Sequence, residues 1–325
     1  MSPSLEYLER CAGQTGYQVS ALEKVVRLGE LAGDIARHPF LGNALLLKGG
    51  TALNLCFGTP SRLSVDLDFN YVAHLERENM LADRPRIEQD VARLAQRHGY
   101  RVQKSADSFA GRKLYLSYIS VLGPRERIEV DVNFLFRLPF AGIDVRTMWQ
   151  PGELEQPLVR VVGLGELVAG KMLALLDRAA ARDAWDVGRL PAVAGNELAS
   201  GLFRSRFIAL SAILEHPLPS YTLEGLAKRL ADPGAKQQLS PFLAGGDVPP
   251  ATLLLQNAWD VVRPFLVLRR EETEFLEAVD RGQLRPELLF PDDSQEAGRI
   301  ASHPAILWKI TNVRSLPAKR KSSRA

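Results

Sequence analysis

Asp66 and Asp68 stand two positions apart in Ser64-Val65-Asp66-Leu67-Asp68-Phe69-Asn70, where polar and apolar residues alternate. That alternation is the period of a half-buried strand, and residues two apart on a strand point to the same side. Both carboxylates can therefore reach one divalent metal centre. Magnesium suits them, because it is a hard ion that takes one or two carboxylates together with substrate phosphates; manganese is the alternative. Two solvated acids on an exposed strand face would give the same pattern, so the pair needs company to carry weight.

Company comes from Lys48-Gly49-Gly50-Thr51, a glycine turn between the apolar run Ala44 to Leu47 and a short helix over Ala52 to Phe57. Glycines let backbone amides approach a phosphate, and a helix N-terminus offers unpaired N–H groups to it. Thr51 can cap that helix or touch a phosphate oxygen. A phosphate cradle followed by paired metal carboxylates is what two-metal nucleotidyl transfer needs, since the metals bridge the triphosphate and stabilise attacking and leaving oxygens. A third carboxylate on a neighbouring strand completes such a set. Asp131 fits, on the polar face of Arg127 to Phe136, as a metal ligand or as the base that accepts a hydroxyl proton. Glu129 shares that face and competes for the role.

Farther on, Lys171 interrupts the apolar helix Leu164 to Arg178. It reads either as a lysine that snorkels to solvent or as a point charge for a triphosphate. Arg182-Asp183-Ala184-Trp185-Asp186 then sets two acids three apart on one helix face, which a surface ion pair would also explain.

These groups need elements to hold them. An amphipathic helix is predicted from Val19 to about Arg37, a second helix over Arg86 to Arg97, and strands over Ser64 to Val72, Lys113 to Leu122 and Arg127 to Phe136. After Gln150 the strand signal disappears. Helical patterns follow at Leu164 to Arg178, Asn196 to Leu214, Thr222 to Leu230, Thr252 to Arg281 and His303 to Val313, separated by prolines. The expected class is α+β: a mixed sheet flanked by helices in a domain over 1–148, then a mainly helical domain over 149–325.

With 46% apolar and 24% charged residues among 325, the chain has the composition of a packed globular protein. It has neither a long apolar span nor a secretory leader, so no membrane partner is expected and the cytoplasm is the expected location. Cys11 and Cys56 are too few for a disulfide framework or a thiolate metal site. A net charge of +3 is compatible with a nucleic-acid partner without requiring one, and Arg314, Lys319, Arg320, Lys321 and Arg324 form an acid-free basic tail from Asn312 to Ala325. That tail reads as solvated chain or as a contact for RNA phosphates.

The segments Lys48-Gly49-Gly50-Thr51-Ala52-Leu53, Arg62-Leu63-Ser64-Val65-Asp66-Leu67-Asp68-Phe69, Lys171 with Leu175-Leu176-Asp177-Arg178, Arg182-Asp183 with Asp186, and His303-Pro304-Ala305-Ile306-Leu307-Trp308-Lys309 resemble, in order, the AbiEii/AbiGii abortive-infection toxins, a group that includes the mycobacterial MenT toxins. The resemblance implies a polymerase-β-like nucleotidyltransferase fold and a toxin beside a separately encoded antitoxin, in phage defence. It implies that Lys48, Gly49, Gly50, Thr51, Arg62 and Ser64 serve the nucleotide and that Asp66 and Asp68 bind metal. Lys171 would contact the triphosphate, and Asp183 or Asp186 would supply a late acidic motif. The implied reaction moves a nucleotide from an NTP to RNA, notably the tRNA 3′ end. A small-molecule or protein nucleotidyltransferase and a non-catalytic nucleotide- or RNA-binding module are the alternatives; the joint presence of Asp66, Asp68 and Lys171 argues against the latter.

Overall fold

The computed structural model describes residues 3–106, 108 and 110–322, with side chains as far as Ser315. The basic-tail side chains of Lys319, Arg320, Lys321 and Arg324 lie outside the described residues. Contacts divide the chain into two compact units: Met1–Leu167 with Asp232–Pro250, and Val168–Ala231 with Ala251–Ala325.

In the first unit the order is α1 (Leu5–Thr15), α2 (Val19–Arg37), α3 (Leu41–Ala44), β1 (Leu45–Lys48), α4 (Gly49–Cys56), β2 (Asp66–Tyr71), α5 (Arg77–Arg97), β3 (Arg101–Lys104), β4 (Gly111–Ile119), β5 (Arg125–Asn133), β6 (Ile143–Thr147) and β7 (Leu158–Val162). The strands make one mixed sheet in the order β3-β4-β5-β2-β1-β7-β6. β2 runs parallel to β5 and antiparallel to β1, which is itself parallel to β7. The apolar stripe Leu22, Val25, Leu28, Leu31 and Ile35 of α2 is fully buried in the core with Leu46, Leu67 and Val130 from the sheet. This is the amphipathic pattern read from the sequence, now placed against its core.

In the second unit α6 (Leu164–Arg178), whose first residues belong to the first unit, is followed by α7 (Ala181–Leu198), α8 (Gly201–Ser211) and α9 (Leu223–Ala227). The chain then returns to the first unit with α10 (Asp232–Leu239). It ends in the second with α11 (Ala251–Leu266), α12 (Arg270–Asp280), α13 (Ser294–Ala301) and α14 (Pro304–Ser322). On the return, Leu63 N–H donates to Phe242 O at 2.8 Å and Gly245 N–H to Gly16 O at 2.9 Å.

The α+β class and the helical C-terminal portion stand, with differences in detail. Strands do not end at Gln150: β7 lies beyond it and joins β1, while β6 completes the hairpin, so residues past 148 belong to the sheet. β7 is short and carries Arg160, which masks the apolar alternation. The helix expected over Thr252 to Arg281 is two, because Arg204 takes the carbonyls of Pro264 and Val267 at the end of α11 and Glu272 caps the start of α12 through Arg269 N–H. The second helix begins at Arg77 and carries Pro85 inside it. No described helix is long and apolar enough to cross a membrane.

Candidate functional site

The first unit gathers its candidate residues at the ends of β1 and β2. Register sets Lys48 of β1 beside Asp68 of β2, Asp68 beside Asp131 of β5, and Asp131 beside Lys113 of β4. Directly paired residues share a face, and neighbouring strands are ~4.8 Å apart. The four side chains therefore form one row across four strands, two carboxylates between two lysines. Asp66 lies one row along, opposite Glu129.

This register decides between the two competing acids for the place beside Asp68, and Asp131 has it. Glu129 is engaged elsewhere, with Arg127 at 2.9 Å and Lys113 at 3.6 Å. Lys113 also stands 3.6 Å from Asp131. Burial pushes the Asp131 carboxyl up, Lys113 pulls it down, Asp68 pushes it up again, and the net position is above the usual carboxylate range. Burial lowers the Lys113 ammonium, but Asp131 and Glu129 outweigh that and hold it above the ordinary lysine value. Two adjacent acids, one already reluctant to ionise, are the electrostatic setting that a bound cation relieves.

Gly49 makes room for this arrangement. Its φ is +71°, and a Cβ there would lie 2.3 Å from Asp68 Oδ2. Both the left-handed backbone and the close approach demand glycine. Lys48 occupies the N-cap position of α4 and its ammonium lies 5.8 Å from the Phe136 ring centroid.

Three residues expected to serve the nucleotide are buried in the structure. Thr51 does not cap α4; it is fully buried inside the helix, and its hydroxyl donates to Asp66 O, fastening the helix to the start of β2. Arg62 is 2% exposed and donates to Leu63 O, and Ser64 is buried too. Thr51 and Arg62 thus bond the backbone that carries Asp66 and Asp68, and Ser64 is buried in the same segment. Gly50 is buried, while Gly49 and Lys48 remain partly exposed.

The sequence reading passed over Lys113 and the pair Asn70 with Glu166. Alternation in β4 and a short hairpin to β5 could have placed Lys113 opposite Asp131. Asn70, two residues beyond Asp68 on the same face, is buried and donates to Glu166 Oε1 at 3.2 Å, while its own Oδ1 has no hydrogen-bond partner. Phe140 N–H donates to the other Glu166 oxygen at 3.1 Å. Burial pushes the Glu166 carboxyl up to about 7, against these donors and Lys48. Nothing in the local sequence distinguishes Glu166 from a surface acid in the first turn of a helix.

In the second unit, α6 and α7 meet at a sharp corner where Ala179 has φ +50°. The corner folds Lys171 onto Asp183 and Asp186: its ammonium is 3.3 Å from Asp183 Oδ1 and 2.8 Å from Asp186 Oδ2. Arg178 grips Asp183 with two bonds, 2.6 Å and 3.0 Å. Lys171 does not snorkel: its side chain is 9% exposed, and those of Asp183 and Asp186 are 1% and 0%. Burial raises the Asp183 carboxyl, but Lys171 and Arg178 outweigh it and hold the group below the usual range. Asp183 and Asp186 are thus joint partners of one lysine.

Among the described residues, no three His, Cys, Asp or Glu side chains gather into an all-protein metal cage. The expected metal set Asp66, Asp68 and Asp131 is therefore not such a cage: Asp68 and Asp131 are neighbours and Asp66 is one row away. Hard oxygen donors from one or two carboxylates, open to substrate phosphates, still fit a magnesium-type ion.

The family model for the nucleotidyl transferase AbiEii toxin of type IV toxin–antitoxin systems matches residues 33–263. The chain belongs to the AbiEii nucleotidyltransferase toxin family. That match takes in every site residue described above. Among solved structures, MenT4, a nucleotidyltransferase toxin from Mycobacterium tuberculosis, superimposes with a TM-score of 0.63 at 20% identity, covering 94% of this chain and 99% of its own. At that identity the likeness is one of fold. No curated protein matches the sequence. As an AbiEii-family member the chain is a nucleotidyltransferase of the toxin–antitoxin class.

Proposed function

We propose that this AbiEii-family enzyme uses magnesium, or manganese in its place, to transfer NMP from an NTP to an RNA acceptor, the 3′ end of a tRNA being the class intended. The observation that carries the reading is the row Lys48, Asp68, Asp131 and Lys113 beside the Gly49 turn. Asp66 and Asp68, with Asp131 as their neighbour, hold the metal. Bound there, a divalent ion supplies charge stabilisation for attacking and leaving oxygens. Asp131, held above the usual carboxylate range, is suited to take the proton of the acceptor hydroxyl. That hydroxyl oxygen bonds to the α-phosphorus, the bond from the α-phosphorus to the bridging oxygen breaks, and pyrophosphate leaves. Gly49, Gly50 and Lys48 receive the phosphates, while Thr51 and Arg62 hold the segment that presents the acids.

Lys171 is the proposed triphosphate contact of the second unit. An ammonium has three donors, and Asp183 and Asp186 engage two of them. The two acids orient it. The enzyme is proposed to act in the cytoplasm, restrained by a separately encoded antitoxin.

The test is incubation of the protein with each α-labelled NTP, magnesium and total cellular RNA. Label should enter RNA, and an Asp68→Asn variant should leave it in the NTP. Label that stays in the NTP with wild-type protein, or moves to protein alone, overturns the RNA reading. Expression of the chain alone should arrest bacterial growth, and the Asp66→Asn, Asp68→Asn double variant should not.

A further inference from the structure

The two edges of the sheet are unlike. β3 ends one side with Arg101, Gln103 and Lys104 exposed, the kind of charged strand that deters edge pairing. β6 ends the other side with Ile143-Asp144-Val145-Arg146-Thr147, in which Ile143 is 46% and Val145 62% exposed. Leu158 of β7, 62% exposed, is the register partner of Thr147 and continues that apolar face.

In an antiparallel ladder, alternate residues turn their N–H and C=O to the same neighbour. Gly163 N–H donates to Gly142 O and Met148 N–H donates to Pro157 O. Even-numbered residues of β6 therefore serve β7, and the backbone groups of Ile143, Val145 and Thr147 turn to the free edge.

We propose that β6 pairs antiparallel with β6 of a second copy of this chain, about a two-fold axis at Val145. In that register Val145 meets its own counterpart and Ile143 meets the second copy's Thr147, all residues whose backbone groups point outward. Asp144 meets the second copy's Arg146, and the reverse pair repeats it. A charge palindrome of this kind is what an isologous contact requires. Moving the axis one residue either way sets Asp144 against Asp144 or Arg146 against Arg146, like charges directly opposed. The exposed Asp144–Arg146 bridge within each strand, 3.2 Å long, is exchanged for two bridges across the axis. Ile143, Val145 and Leu158 of both copies then form one continuous apolar strip across the axis. Five residues a side bury less than the ~1,200 Å² of a standard stable interface, so this dimer dissociates on dilution.

Sedimentation velocity of the full chain over rising concentration tests the proposal, independently of any transferase activity. The mass should move from one chain towards two. Asp144→Arg and Arg146→Asp should each hold the protein monomeric where wild type dimerises, and the double exchange, which restores the palindrome, should dimerise again. Thermal melts matching wild type will identify the variants as folded. A chain that stays monomeric at every concentration, or a dimer that survives Arg146→Asp, overturns the proposal. So does a double exchange that remains monomeric while melting as wild type. If the single exchanges instead abolish only antitoxin binding to a monomeric chain, the edge serves a foreign strand and the proposal falls.

Discussion

In the sheet row, Asp68 and Asp131 lie side by side, and burial together with Asp68 holds Asp131 above its ordinary range against the pull of the two lysines. At the α6–α7 corner, buried Lys171 meets the buried pair Asp183 and Asp186, exposed Arg178 reaches Asp183 from the surface, and Asp183 is held below its range. The residue types are the same; their order is not. On the sheet, acid faces acid and is partly open to solvent. At the corner, every carboxylate has a cation and almost no solvent. One arrangement is ready for an added positive charge, whereas the other is already neutral and bears on stability as well as on any substrate.

Substitutions can break the contrast. The largest effect is expected from Asp66→Asn and Asp68→Asn, which keep shape and remove charge: turnover should fall by about a thousandfold or more, ~4 kcal/mol in the barrier, with an unchanged unfolding midpoint. Labelled-NTP transfer assays beside thermal melts measure both. Lys171→Met should do something different at the corner. It leaves Asp186 buried beside Asp183 without their shared cation, a loss of ~3–5 kcal/mol of stability readable by urea unfolding. Wild-type stability in that variant would mean that water reaches the corner.

Smaller effects sharpen the comparison. Gly49→Ala should push Asp68 aside and strain the backbone by ~1–2 kcal/mol, with transfer falling much further than the melting point. Glu166 offers a titration. Its carboxyl is raised to about 7, so the stability it contributes is present at low pH and is lost as pH rises through that value. Melting temperature should decline in wild type as pH rises from about 4.5 to about 7, level off above that, and show no such decline in Glu166→Gln. Least of all, Asp131→Asn should change stability by no more than ~1 kcal/mol, or raise it slightly, because it removes a half-buried acid that sits beside another. Transfer should nonetheless be lost, and an active Asp131→Asn enzyme would remove this residue from the proton step.

The sheet side of the contrast was legible in the sequence because alternation at period two reports directly which residues share a face. Asp66, Asp68 and Asp131 were placed by that alone, as was the buried stripe of α2. What alternation cannot supply is register between strands far apart in the chain. Lys113 and the choice of Asp131 over Glu129 waited for that register. The corner was less legible, since Lys171 and the two acids are meaningful only once the φ of Ala179 folds one helix onto the next. Thr51 and Arg62 have chemically suitable side chains, and their burial and backbone bonds became visible only in the fold. β6 and β7 were missed because a five-residue strand interrupted by Asp144 and Arg146, or by Arg160, carries too few apolar residues to show a period.

The return of residues 232–250 to the first unit has a consequence for synthesis. The last strand of the sheet is complete at Val162, yet Phe242, which bonds the backbone at Leu63 just ahead of Asp66, is made 80 residues later. At roughly 5–20 residues per second on the ribosome, that gap lasts several seconds to some fifteen. Throughout it, the emerging polypeptide has every strand of the sheet but lacks the Phe242 bond to the segment leading into its acidic pair. A nascent chain stalled between those points should therefore be cut by protease near Leu63, and one stalled well past Pro250 should resist.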